Sequence, residues 1–386
     1  RIAFNFPLFF YLGSITLLTS FFTYILLLKA YNDGVDREYL LCIGCLLVLC
    51  TSYLSIAIVN WLATLFVSPY SLPRLDYSKG IPSESCSLVI IPAMLSNTQN
   101  IEDLVESLEV RFLANRDANL YFGLLTDFKD AEKEKLDEDE QLIKVVSKKI
   151  IELNKKYQTE NNNTFFLFHR PRKWNATDKI WMGYERKRGK LSDLNSLLRG
   201  GENLFSVIIG ETEILKKVKY VITLDSDTQL PRDSAKQFIG AMSHPLNKPK
   251  FDIMKQRVTE GYTILQPRVA ISLPSTNRSR YAKLFGSEPG IDPYTRTISD
   301  VYQDLFGEGS FIGKGIYEVD SFEQTLKERF PENRILSHDL LEGCYARAGL
   351  LSDVLLFEEY PSSYRTDVKR RSRWIRGDWQ LLPWLL

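Results

Sequence analysis

The sequence predicts an α/β domain over residues 81–386, carried behind two transmembrane helices and a linker within residues 1–80. Three observations predict it. Two long runs before Pro73 carry no charge, short apolar strands alternate with amphipathic helices after it, and acidic residues stand where several of those strands run out.

The uncharged runs are Ile2 to Leu28 and Leu40 to Pro73. A bilayer core about 30 Å thick is crossed by about 20 helical residues, which each run supplies, with Lys29 to Glu38 as the polar loop between them. A signal peptide is the rival for the first run. Its length, the lack of a small-residue cleavage site and the second span argue against that. Lys29 and Arg37 on one side face Arg74 and Lys79 on the other, so charge alone leaves orientation open. A formal charge of +1 gives no sign of a nucleic-acid partner. The five cysteines follow no ligand spacing and there are three histidines, which disfavours a dedicated zinc site. The apolar tail Leu381 to Leu386 reads as the start of a further membrane segment in a longer protein.

After the Pro- and Ser-containing linker Ser68 to Ser85, Ser87 to Ile91 reads as a buried strand ending in a turn at Pro92. Ile101, Leu104, Val105, Leu108 and Phe112 mark one face of a helix. Leu120 to Leu125 is a second strand with Asp127 just beyond it, and the charged stretch Asp130 to Glu140 is a solvated connector. Leu142, Val145, Val146, Ile150 and Leu153 form another helical stripe. Thr164 to Phe168 reads as a strand, and Leu191 to Leu198 as a helix. Tyr220 to Leu224 is an apolar strand running directly into Asp225-Ser226-Asp227. Thr263 to Ala270 reads as extended, Ile335 to Leu341 as a strand edge passing into a helix, and Val354 to Phe357 as a short strand. Ligands of open α/β sheets bind at the carboxyl ends of strands, where these acids stand.

Alternation along an extended backbone would bring Asp225 and Asp227 to one side, with Ser226 pointing away. Carboxylate oxygens suit a hard divalent ion able to bridge two phosphates; the competing role is a turn cap. Asp339 and Glu342 are three residues apart, on one face of a helical turn. A carboxylate there suits a general base for an acceptor hydroxyl, and the spacing equally suits a capping pair. In Lys369 to Gln380, arginines offer paired hydrogen bonds to phosphate and tryptophans a flat surface for a sugar or base. An interfacial belt and a nucleic-acid patch are the alternatives; Asp378 and the absence of a wider basic surface argue against the latter. Trp181 to Asn195 sets cations and glycines before a helix, an arrangement able to approach phosphates. Phe306 to Gly315 is glycine-rich but lacks the Walker spacing, which excludes a P-loop and leaves a backbone-lined acceptor or diphosphate site.

In this order, the elements resemble processive family 2-like glycosyltransferases of GT-A fold, and more closely the glycosyltransferase family 84 domain of bacterial cyclic β-1,2-glucan synthases. The strings that carry the resemblance are His169 to Trp174, Gly183 to Asn195, Thr223 to Thr228, Gln266-Pro267-Arg268, Gly307 to Gly315, Ser337 to Gly343 and Arg370 to Gln380. The resemblance implies inverting transfer of glucose from UDP-glucose to a β-1,2-glucan acceptor, on the cytoplasmic side of a bacterial inner membrane. It assigns Asp127 and the Lys190 region to the uridine nucleotide, Asp225 and Asp227 to Mg²⁺ or Mn²⁺ against the diphosphate, and Asp339 to the base. Arg373 and Trp374 would lie by the acceptor channel and leaving diphosphate. A C-terminal phosphorylase domain would belong to the full-length protein. Two positions depart from the broader pattern: Arg370 stands where glutamine is expected, and His338 where a glutamate usually precedes the base. Synthesis of another β-glucan, transfer to a lipid or protein acceptor, and a non-catalytic carbohydrate-sensing scaffold are the alternative readings.

Overall fold

A computed structural model describes residues 6–69, 71–157, 164–286, 301–332, 334–335 and 338–384. They group into two compact units, one from residues up to 70 with 298–308, the other from 71–297 with 309–386.

The first unit is built on two long helices, Pro7–Asn32 and Arg37–Phe66, both long and apolar enough to cross a membrane. They run past the charges expected to bound them, taking in Lys29, Arg37 and Glu38, so the connection shrinks to a turn around Gly34. Most of their apolar side chains are exposed, as lipid-facing surface would be. Polar side chains bond across the two helices: Thr23 with Thr51 at 2.8 Å, and Tyr11 donating to Asn60 at 2.8 Å.

The second unit contains strands β1 (Ser87–Leu95), β2 (Leu120–Phe128), β3 (Phe165–His169), β4 (Lys173–Asn175), β5 (Ile180–Met182), β6 (Val207–Ile209), β7 (Tyr220–Thr223), β8 (Lys250–Asp252), β9 (Arg257–Glu260), β10 (Ile264–Ile271), β11 (Gly315–Glu318) and β12 (Ala348–Glu358). Eight of them form one sheet in the order β12-β10-β11-β7-β1-β2-β3-β6. The β7-β1-β2-β3 block is parallel, β10 is parallel to β12, and β11 is antiparallel to both its neighbours. Both faces are covered. Val89 and Ile91 point into one core with the helices Thr98–Ala114, Asp139–Tyr157 and Ser234–Ser243, whereas Leu88 and Ile90 point into the other with Arg186–Leu198 and Val319–Leu326. A strand buried on both faces reads as a continuous apolar run, which is why β1 shows no polar alternation.

Several expected boundaries move. β1 continues through Pro92 to Leu95 because its pairing with β2 runs its full length, whereas its pairing with β7 ends at Ile90 opposite Thr223, on the side where Pro92 has no N–H to give. β2 likewise extends to Phe128 and takes Asp127 into the strand. The connector before Glu140 ends in a buried acid: Asp139 opens the next helix and receives two bonds from Arg172. Val354 to Phe357 is the end of an eleven-residue strand. The expected strand edge before Asp339 does not form at Ile335, which has no regular structure, and Leu336 and Ser337 lie outside the described residues. At the chain's end the apolar run shows one helical turn, Leu382–Trp384, with Leu385 and Leu386 also outside.

Candidate active site

The acids gather at the carboxyl ends of β7 and β12. Asp225 and Asp227 converge with Glu358, each offering an oxygen within 4.8 Å of the others. The convergence is not produced by strand alternation. β7 ends at Thr223, and Ser226 and Asp227 lie in a turn closed by the Thr228 N–H donating to the Asp225 carbonyl at 3.1 Å. Arg111, buried in the last turn of the Thr98–Ala114 helix, fastens the turn at Ser226 and Asp227. Its guanidinium donates to the Ser226 carbonyl at 2.9 Å and to the Thr228 carbonyl at 2.6 Å. Thr228 also donates its hydroxyl to Glu358 at 2.9 Å.

Two lysines pair with this group. Lys187 Nζ donates to Asp225 Oδ1 at 2.6 Å and to the Gly313 carbonyl at 2.6 Å. Lys314 Nζ lies 3.2 Å from Asp225 Oδ2 and 2.5 Å from Glu358 Oε1. Burial pushes the Asp225 carboxyl upward, but Lys187 and Lys314 outweigh it and hold the group well below the usual carboxylate range. Asp227 moves the other way, raised by burial and by its neighbours Glu358 and Asp225. Three convergent oxygens, one of them on an acid crowded by like charge, fit a hard divalent cation, which would relieve that repulsion.

Asp339 meets this group at Gly313. That glycine has φ +81°, and a Cβ placed on it would lie 2.7 Å from Asp339 Oδ1. Residue 313 therefore touches both halves of the site, through its carbonyl to the Lys187–Asp225 pair and through its α-carbon to Asp339. Gln266 braces the same loop, accepting from the Ile312 N–H at 2.6 Å. Asp339 is the first residue of the helix Asp339–Ala346 and does not cap it; the preceding His338 makes no side-chain cap either. His338 is buried, with Nδ1 2.9 Å from Glu342 and 3.7 Å from Asp339. Burial opposes its protonation, yet the two carboxylates prevail and raise it above the usual imidazole value.

At the end of β2, Asp127 is buried and engaged. Lys190 Nζ lies 3.0 Å from Asp127 Oδ1 and donates to the Ala93 carbonyl at 2.9 Å, and Arg170 approaches Oδ2 at 3.4 Å. Burial lowers the Lys190 pKa despite the pull of Asp127. Gly183 is required here, since a Cβ would lie 2.0 Å from Asp127 Oδ2. Removing one partner of such a buried pair typically costs about 3–5 kcal/mol.

Arg373 and Trp374 sit on the helix Tyr364–Gln380, Arg373 exposed and Trp374 about half exposed beneath the Arg370 guanidinium, 4.9 Å from its ring. The anchor of that helix is the buried Asp367, paired with Arg370 at 3.0 Å and Arg371 at 2.8 Å and accepting from the Tyr281 hydroxyl. The structure thus gathers Asp225, Asp227 and Asp339, sets Asp127 and Lys190 together as a pair, and leaves Arg373 and Trp374 on an exposed helix face. Glu358, Arg111, Lys187 and Lys314 are functional candidates that sequence reasoning did not single out. Arg111 left one signal, a charge within the apolar stripe of Leu104, Leu108 and Phe112.

No family model matches the chain. Solved structures aligned with it include an active-site mutant of LgtC, at 12% identity and TM-score 0.30 over 68% of this chain and 72% of that one. The mannosyltransferase Ktr4p from S. cerevisiae, in complex with GDP, aligns at 12% identity and TM-score 0.29 over 82% and 89%. Likenesses at that score carry no argument. Sequence carries more: the chain is 43% identical over 332 residues, 86% of its length, to the cyclic β-(1,2)-glucan synthase NdvB of Rhizobium meliloti (strain 1021). It spans only 12% of that relative's length. The chain is therefore homologous to a stretch of a cyclic β-1,2-glucan synthase, the group whose family 84 glycosyltransferase domain its own motifs resemble.

Proposed function

We propose that residues 81–386 form a GT-A-type domain that transfers glucose, with inversion, from UDP-glucose to a growing β-1,2-glucan. The observation that carries the reading is the meeting of Asp225 and Asp339 at Gly313. A carboxylate suited to deprotonating an acceptor hydroxyl stands beside a carboxylate cluster suited to a cation under a diphosphate.

Asp225, Asp227 and Glu358 would hold Mg²⁺ or Mn²⁺, which when bound offsets charge gathering on the UDP leaving group. Asp339 takes the acceptor proton as the oxygen attacks the anomeric carbon from the opposite side, through an oxocarbenium-like transition state. Lys187 keeps the Gly307–Gly315 loop's Gly313 in register with Asp225. Asp127 and the Lys190 region hold the uridine nucleotide, while Arg373 and Trp374 serve the acceptor channel and the departing diphosphate. Residues 1–80 anchor the domain at the bacterial inner membrane. UDP-glucose is a cytoplasmic solute, and that sets the catalytic domain on the cytoplasmic side.

Asp339→Asn should abolish glucose transfer from labelled UDP-glucose while UDP binding stays within about twofold of wild type, since only the proton acceptor is lost. Unchanged turnover would remove Asp339 from the role. Linkage analysis of the wild-type product should find 1,2 bonds, and their absence would sink the β-1,2 assignment.

A further inference from the structure

We propose that Lys314 is a positioning residue that holds the cation-binding carboxylates together until the divalent cation arrives and then turns to the donor's diphosphate, an inference that rests on the nucleotide-sugar reading above. Its ammonium lies between Asp225 and Glu358, at 3.2 and 2.5 Å, and these are two of the three converging acids. Metal–oxygen distances are about 2.0–2.6 Å, so a cation on the same oxygens would stand against the ammonium in a setting where its side chain is only 12% exposed. Two like charges that close in a shielded pocket repel strongly, and one must leave.

Lys187 is not the one displaced. It shares its protons between Asp225 and the neutral Gly313 carbonyl, and keeps that carbonyl when Asp225 turns to a metal. Lys314 loses both of its carboxylates at once. Lysine is a compact charge on a flexible four-carbon stem, free to swing from the acids to a phosphate oxygen without backbone movement. The charge count favours the same exchange. Three carboxylates face two ammonium groups and the Arg111 guanidinium, a balanced set. A divalent cation alone leaves two positive charges in excess, and the two negative charges of a nucleotide-sugar diphosphate restore the balance.

The consequence is coupling. A cation arriving alone strips Lys314 of its partners and is bound weakly; a cation arriving with the diphosphate supplies a replacement. By linkage, UDP must strengthen the cation by the factor by which the cation strengthens UDP.

The experiment measures Mn²⁺ binding to the full chain in detergent by electron paramagnetic resonance, with and without saturating UDP. Wild type should bind Mn²⁺ about tenfold or more tightly when UDP is present. Lys314→Met should bind Mn²⁺ alone several-fold more tightly than wild type, and UDP should then add clearly less than it does to wild type. Lys314→Gln, which also lacks the charge but keeps a polar end, should behave alike, and Lys314→Arg should restore most of the coupling. If neither uncharged variant binds Mn²⁺ alone more tightly, or if UDP strengthens it by the wild-type factor in both, the exchange is refuted. Asp227→Asn separates the two claims. Loss of Mn²⁺–UDP binding in that variant keeps the cation site even when the exchange fails, whereas undiminished binding removes the site and the exchange with it.

Discussion

At the scale of single residues, the site depends on side chains that are absent as much as on those present. Gly313 adopts a left-handed backbone and lets Asp339 approach where a methyl would collide with its carboxylate. Gly313→Ala should therefore lower kcat by about 10²-fold, since a displacement of about 1 Å can cost that much, and leave UDP affinity nearly unchanged. Steady-state kinetics alongside UDP titration checks it; equal losses in both would point to collapse of the whole loop. Asp225 and Asp227 were legible as candidates because they follow the apolar run of a strand, and Asp339 because Glu342 stands three residues on, one helical turn away. Glu358 was not, although it closes such a run too, because the expected strand stopped at Phe357 and one more residue looked like loop. Lys187 and Lys314 lay inside segments already noted for cations and glycines. No spacing rule says which lysine of Arg186 to Lys190 will face the acids.

At the scale of elements, the helix Thr98–Ala114 packs its apolar stripe on the sheet and spends one position of that stripe on Arg111. That side chain spans to the Ser226 and Thr228 carbonyls, so Arg111→Lys, which cannot reach both with one planar fork, should cost about 1.5–3 kcal/mol and weaken metal-dependent UDP binding. Thermal denaturation and titration together test it, and an unaltered variant in both would release Arg111 from the task. The join between β2 and β3 makes a pH prediction. His169 is buried, its Nδ1 2.9 Å from the Thr126 hydroxyl, and burial pulls its pKa from 6.5 down to about 3 against the opposing charge of Asp139. As pH falls from about 6.5 to about 3, the unfolded chain takes up this proton before the folded one does, so stability drops across that window. His169→Gln should flatten that acid slope in denaturation midpoints measured at pH 7 and pH 4; an identical slope would mean that other groups cause it. The strand and helix types were readable from periodicity, but not the small pairs β4–β5 and β8–β9, whose three- and four-residue strands are too short for a period to show.

For the whole molecule, the two apolar helices make a separate claim. The full chain should remain in the membrane pellet after alkaline carbonate extraction and enter solution with detergent; recovery in the carbonate supernatant would mean that the helices do not span. Their Thr23–Thr51 and Tyr11–Asn60 bonds would hold them side by side where water offers no alternative partner. The sheet in the other unit carries a consequence of its own at Pro92. Alternate residues of a strand turn their backbone groups to the same side, so Leu88, Ile90 and Pro92 all face β7, and Ile90 accepts the Leu224 N–H at 3.1 Å. Two residues on, the imino ring has nothing to donate. The zipper between the strands comes undone at Leu224, and the polypeptide is let go to curl, one residue before Asp225. A ring in one strand thereby determines how far the neighbouring chain stays straight, and so the depth at which its carboxylates are delivered.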